Sequence, residues 1–207
     1  MISKFARTLF FSVVLSVLSL ASIAYAQDFA NGVAAFEAGN YEKAIGLFEI
    51  AANDGHLHAQ IYLGTIYAGQ EVGGDVTAQN HEKSLHFFQM AAEQGNAPSQ
   101  FKVGEIHAKG LGKDVDYSQA TYWYQLAASQ GDPNAQNQLW QLYATGTGVE
   151  MDNALALMWI MVATYSGNVI DEKMWDDLVL NMTQDQLTQA ENFAKTCIDT
   201  NFGTCGY

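Results

Sequence analysis

Apolar residues recur at spacings of three and four through most of this chain, and short glycine-centred breaks cut the pattern into helix-length pieces. From about Tyr117, the residues Ala120, Trp123, Tyr124, Ala127 and Ala128 share one helical face, and Gly131 ends the run. The preceding piece opens near Pro98, whose missing N–H costs nothing in a first turn. It continues through Phe101, Val103, Gly104, Ile106 and His107 to Lys109, and stops at Gly110 and Gly112. Asp132-Pro133 opens the next helix with a capping side chain followed by a proline. The pattern predicts helix-turn-helix hairpins and an all-α fold.

The hairpins repeat. Ala91-Ala92-Glu93-Gln94-Gly95 returns 36 residues later as Ala127-Ala128-Ser129-Gln130-Gly131, and 36 later again as Ala163-Thr164-Tyr165-Ser166-Gly167. The same step carries Phe87 to Trp123 and Trp159, marking both tryptophans as packing landmarks, and carries Ser84 to Ala120 and Ala156. An earlier copy, Ala51-Ala52-Asn53-Asp54-Gly55, lies 40 residues upstream of the second. The extra four residues fit the polar, glycine-rich stretch from Gln70 to Thr77. Gly64 and Gly104 hold matching places inside the first helix of their units. Glycine there costs about 1 kcal/mol relative to alanine, so the pattern predicts a helix-to-helix approach too close for a Cβ. One hairpin cannot bury its apolar face alone, so the copies stack into a right-handed α/α solenoid. The boundaries read as an N-terminal hairpin over 27–55, repeats over 56–95, 96–131 and 132–167, and a C-terminal capping region over 168–207.

Ala59, Leu63, Gly64 and Tyr67, followed by Ala120, Trp123, Tyr124, Ala127, Ala128 and Gly131, resemble the two halves of the Sel-one-like repeat, a relative of the tetratricopeptide repeat. The resemblance covers roughly Phe29 to Gly167. It implies a helical-repeat fold and a protein-interaction role, while its motif residues are almost all packing residues. Beyond Gly167 the repeat ends. Thr183 and Gln186 form a capping-box pair ahead of Leu187, Ala190 and Ala194, so the spacing predicts a closing helix through Lys195, like the one that ends bacterial members of the family.

The first 26 residues follow a different logic. Lys4 and Arg7 precede an apolar run from Leu9 to Leu20, and small residues follow, ending at Ala24-Tyr25-Ala26. This is the organisation of a secretory signal peptide cleaved after Ala26, which places the chain in a periplasm or outside the cell with no stable membrane insertion after cleavage. In an oxidising compartment Cys197 and Cys205 are expected to pair. Of the nine Lys and Arg residues, the seven beyond residue 26 are all lysine and face 22 acidic residues. Such a surface, without a guanidinium to grip phosphate, argues against nucleic acid and anionic membrane as partners and for basic proteins, cations or neutral ligands. Self-repulsion favours a monomer.

A search for chemistry finds little. His56, His58, His81, His86 and His107 do not form a metal-ligand spacing, and His86 and His107 align with Tyr122 and Tyr143 one repeat on, so they read as aromatic-slot substitutions with a hydrogen bond for the ring. Gly110-Leu111-Gly112-Lys113 follows a helix and lacks the remaining phosphate-loop glycine, and acidic pairs such as Asp176-Asp177 read as solvated faces. No catalytic residue, cofactor or metal is assigned. By the resemblance, the first helix of each unit lines a concave wall. Aligning the units assigns Gln60, Ile61 and Thr65, then Gln100, Phe101 and Glu105, then Gln136, Asn137 and Gln141 as its binding positions, a column of amides suited to a peptide backbone. Trp140 takes the slot of Gly64 and Gly104, either as packing against the terminal helices or as an anchor in the groove. The resulting expectation is a non-enzymatic scaffold of the periplasm or cell envelope that binds a protein or extended peptide. The rival is a weak hydrolase or binder of β-lactams or peptidoglycan fragments, disfavoured because the family branch with that activity has cysteines in its repeats and this chain has none there.

Overall fold

Among the described residues, polar caps start the helices, glycine turns end most of them, and all regular structure is helical. The computed structural model describes residues 27–69, 80–168 and 172–205. The expected signal peptide and the stretch proposed to absorb the longer repeat lie outside those residues. Contacts divide the chain into two units, with the boundary between Met90 and Ala91.

The first unit holds α1 (27–37), α2 (Tyr41–Asn53), α3 (Leu57–Tyr67) and most of α4 (His81–Glu93). Asn40 caps α2 by accepting from the Lys43 N–H, and Asn80 does the same for the Lys83 N–H. Ala44, Phe48, Ala51, Ala52, Ala59 and Leu63 are fully buried and form the centre of the core. Alanines predominate where helices cross and rings fill the space between them. A Cβ on Gly32 would lie 2.7 Å from the Phe48 ring, and one on Gly64 would lie 2.7 Å from the Phe88 ring.

The second unit continues with α5 (Ala97–Lys109), α6 (Tyr117–Ala128), α7 (Pro133–Thr145), α8 (Asn153–Tyr165), α9 (Glu172–Val179) and α10 (Gln184–Asp199). Asn96, Asp116, Asp132 and Asp152 cap α5 to α8 through their side-chain oxygens. Prolines sit in the first turns of α5 and α7. The ring-on-glycine contact recurs, since a Cβ on Gly104 would lie 2.5 Å from the Tyr124 ring. One repeat on, the sizes are exchanged: Trp140 stands in the glycine slot, Ile160 stands in the ring slot, and both are buried in one core cluster.

Trp159 and Met158 on α8 are fully buried, and α10 packs on α8 through Ala194 and Cys197. The Thr183 and Gln186 capping box is formed in full. Cys197 and Cys205 are disulfide-bonded. Closing so small a ring contributes about 2–3 kcal/mol in the loop-entropy account. Within the ring Asn201 and Phe202 have φ of 51° and 68°, a left-handed backbone that a phenylalanine rarely adopts. The Phe202 ring lies over Gly131, itself at φ +85°, where a Cβ would come within 3.0 Å of the ring.

Substituting Gly104→Ala is expected to lower stability by about 1–2 kcal/mol, because overpacking against Tyr124 outweighs the better helix propensity of alanine. Urea denaturation of Gly104→Ala, Tyr124→Ile and the pair measures this. The double variant should be more stable than the two single losses summed, since a smaller side chain in the ring slot makes room for the Cβ.

Candidate functional site

The amide column is internal. Gln60 and Gln136 are 1% and 0% exposed, and Gln100 is 4% exposed. Each side chain reaches back eight residues. Gln60 Nε2 donates to the Ala52 carbonyl at 3.0 Å, Gln100 Nε2 to Ala92 at 3.1 Å and Gln136 Nε2 to Ala128 at 3.4 Å. These carbonyls lie in the final turns of α2, α4 and α6, where intrahelical donors have run out. Each also accepts from a turn glycine, Gly55, Gly95 or Gly131, so the amide supplies the second donor for the carbonyl's second lone pair. Gln60, Gln100 and Gln136 are therefore corrected from surface binding positions to staples that join one hairpin to the next helix.

Trp140 resolves toward packing. It is 8% exposed, and its Nε1 donates to Asn137 Oδ1 at 2.8 Å, which fixes the indole within the core cluster of α6, α7, α8 and α10. Half-buried residues remain on the first helices of each unit. In the first unit these are Ile61 and Thr65 on α3, and in the second Phe101 and Glu105 on α5 with Asn137 and Gln141 on α7 form a strip.

The strip on α5 and α7 carries the most chemistry. The Phe101 ring packs on Tyr124 at 5.6 Å, and Lys102 Nζ stands 5.6 Å from the Phe101 centroid. Glu105 takes Lys102 and Lys109 on its two carboxylate oxygens, both at 2.7 Å. Burial pushes the Glu105 carboxyl up, but the two lysines together outweigh it and hold the group below its ordinary value. It is thus an anion at neutral pH, locked between cations. On α7, Gln141 Nε2 donates to the Asn137 carbonyl at 3.2 Å, leaving its carbonyl end free to meet a donor on a ligand. The α7 helix has no charged side chain. The strip therefore offers an aromatic ring, a fixed ion triad and neutral amides, which suit recognition and provide no nucleophile with a base.

The aromatic slot behaves differently in each unit. Tyr67 Oη donates to Glu49 Oε1 at 2.9 Å and accepts from Lys83 Nζ at 3.1 Å, while Tyr143 Oη accepts from Gln125 Nε2 at 2.9 Å. His107 fills the slot between them in sequence, 6% exposed, and its Nδ1 has no hydrogen-bond partner, so the bond expected for the ring is not made at that atom. Burial, and then the charge of Lys113, hold its pKa below the ordinary histidine value, which keeps the ring neutral.

Two hollows lie elsewhere. One of about 260 Å³ lies between α6 and the disulfide ring, lined by Tyr122, Leu126, Ser129, Phe202 and Cys205, and one of about 500 Å³ lies beside α1 and α2. Neither gathers a catalytic set. Among the described residues no three His, Cys, Asp or Glu side chains could share a metal ion, and no helix is long and apolar enough to cross a membrane.

Stacked hairpins with internal amide staples and a capping helix define the protein as an all-α helical-repeat solenoid. The Sel1 repeat model matches residues 20–56, 57–96, 97–132 and 133–160, and the chain belongs to that family. Among solved structures it is similar to a Sel1 repeat protein from Oxalobacter formigenes, with 24% identity, a TM-score of 0.60, and coverage of 84% of this chain and 73% of that one. It is also similar to c5321, a protective antigen present in uropathogenic Escherichia coli strains displaying an SLR fold, at 25% identity and a TM-score of 0.47. Coverage there is 84% of this chain and 45% of that one. No curated protein matches the chain.

Two substitutions separate packing from recognition at this site. Trp140→Ala is expected to cost about 3–5 kcal/mol, as for other large-to-small core changes, and a thermal melt within 2 °C of the parent would exclude the packing role. Gln100→Leu is expected to cost about 1 kcal/mol, toward the low end for a buried hydrogen bond because the Ala92 carbonyl keeps its Gly95 partner. Urea midpoints of Gln100→Leu and the parent check it.

Proposed function

We propose that this protein is a non-enzymatic scaffold of the periplasm or cell envelope that holds a protein partner, through an extended segment, on the outer strip of α5 and α7. The observation that carries the reading is the strip itself: Phe101, Glu105, Asn137 and Gln141 stay half-buried on those helices while the staple amides and Trp140 are taken into the interior. Sel1 repeat proteins are generally protein-interaction scaffolds and typically non-catalytic, which supports the class. The Cys197–Cys205 disulfide supports export, because such bonds persist in oxidising compartments. The excess of 22 acidic residues over nine basic ones supports a neutral or basic partner rather than nucleic acid.

Photocrosslinking probes at three positions along the strip, replacing in turn Lys102 beside Phe101, Gln138 beside Asn137, and Gln141, with a control probe at Ser118 on α6, test the reading in living cells. The expected result is one dominant protein adduct from the three strip positions and none from the control. Adducts of equal yield from the control, or no protein adduct from any strip position, would overturn it.

A further inference from the structure

Among the described residues, the helix caps are built from Asn, Asp and Thr with one departure. Asn40, Asn80, Asn96, Asp116, Asp132, Asp152 and Thr183 accept through oxygens that keep a lone pair free for the bond near neutrality, but α3 is capped by His56, whose Nδ1 accepts from the Ala59 N–H at 3.3 Å. One repeat on, the same position is Asn96. An imidazole can accept at Nδ1 only while that nitrogen is unprotonated, so the cap exists only for the neutral ring. We propose that His56 is an acid-sensitive cap: protonation releases the first turn of α3 and loosens the joint between α2 and α3.

Three features of the surroundings support this. The first turn released is Leu57 to Gln60, and Gln60 is the staple that ties α3 to the last turn of α2 through the Ala52 carbonyl. A cation at position 56 would also face the positive end of the α3 dipole. His58 lies close, 6.1 Å between ring centroids, and a charge on it opposes a second one on His56. On the other side the Phe29 ring of α1 stacks on His56 at 4.3 Å and 23°. A ring face attracts a cation, so this stack survives protonation and the event is release of the cap rather than of α1.

The ionisable neighbours in sequence on each surrounding segment are His58 on α3, Asp54 in the turn before it and Asp28 on α1, and of these His58 is the one whose charge acts on the ring. Burial, and then His58, hold the His56 pKa below the ordinary histidine value, while a backbone hydrogen bond opposes them. With its folded value lowered, His56 adds no penalty above about pH 6.5, the usual unfolded value, and it removes stability as pH falls from there through the folded value.

The test is an NMR titration of the whole chain between pH 8 and 4.5, following the histidine ring signals and the hydrogen-exchange protection factor of the Ala59 amide. Protection is expected to fall about fivefold as His56 titrates, the change a lost cap corresponds to. His56→Asn should hold Ala59 protection constant across the range. His58→Gln, which leaves the cap in place, should move the His56 midpoint to higher pH. Titration of His56 without a change at Ala59, or the same loss of protection in His56→Asn, would overturn the proposal. Should His56→Asn fail to fold, an unmoved midpoint in His58→Gln together with constant Ala59 protection in the parent would overturn it as well.

Discussion

Much of this structure depends on how closely two helices of one hairpin can approach. Where glycine leaves out a Cβ, as at Gly32, Gly64 and Gly104, an aromatic ring from the second helix lies against bare backbone. Glycine in a helix costs about 1 kcal/mol. Burying a ring such as Phe48 or Tyr124, 0% and 2% exposed, returns about 2–3 kcal/mol, so the exchange favours the close contact. The approach then sets where the alanine rows meet, and it fixes which side chains of the first helix can reach the preceding hairpin. At Trp140 and Ile160 the large side chain comes from the first helix instead, and the pair fills more space in the core cluster that α10 joins.

Close stacking creates a polar problem that the glutamines solve. A helix that ends inside a stack leaves carbonyls short of donors. A turn glycine supplies one N–H to Ala52, Ala92 and Ala128, and Gln60, Gln100 and Gln136 supply another. The staple also spans the hairpin boundary, so it ties the last turn of one helix to the next hairpin with a directional bond that a purely apolar contact does not supply. Gln100 extends the arrangement by accepting from Gln130 Nε2 at 2.7 Å.

Much of this was legible in the sequence because packing residues must repeat when packing repeats. The helices, the Thr183 capping box and the proline positions follow from local rules that tertiary structure did not override. The staples show in the sequence as a repeating register, a glutamine eight residues after the alanine whose carbonyl it meets, yet amides are usually exposed and such a register predicts a surface. Burial of a polar group becomes evident only with its partner, and the partner here is backbone, which sequence does not distinguish. The Gly32 and Phe48 pair has no counterpart at the repeat step, because the first hairpin has different loop lengths. Phe202 at a positive φ has no local signature at all, since the disulfide ring and the bare face of Gly131 hold it there.

The consequence for function is that the interior has taken most of the side chains a binding site would ordinarily use. With three amides and a tryptophan withdrawn, selectivity on the second unit rests on Phe101, the Lys102, Glu105 and Lys109 triad, and the neutral amides of α7. A triad whose carboxylate is already satisfied offers the outward protons of two lysines more readily than it offers an anion. This strip is then less acidic than the chain around it, and a partner drawn by the overall charge would meet a local surface of different character. That contrast fixes orientation more than strength, because exposed ion pairs contribute little energy while the unlike potential penalises a wrong register.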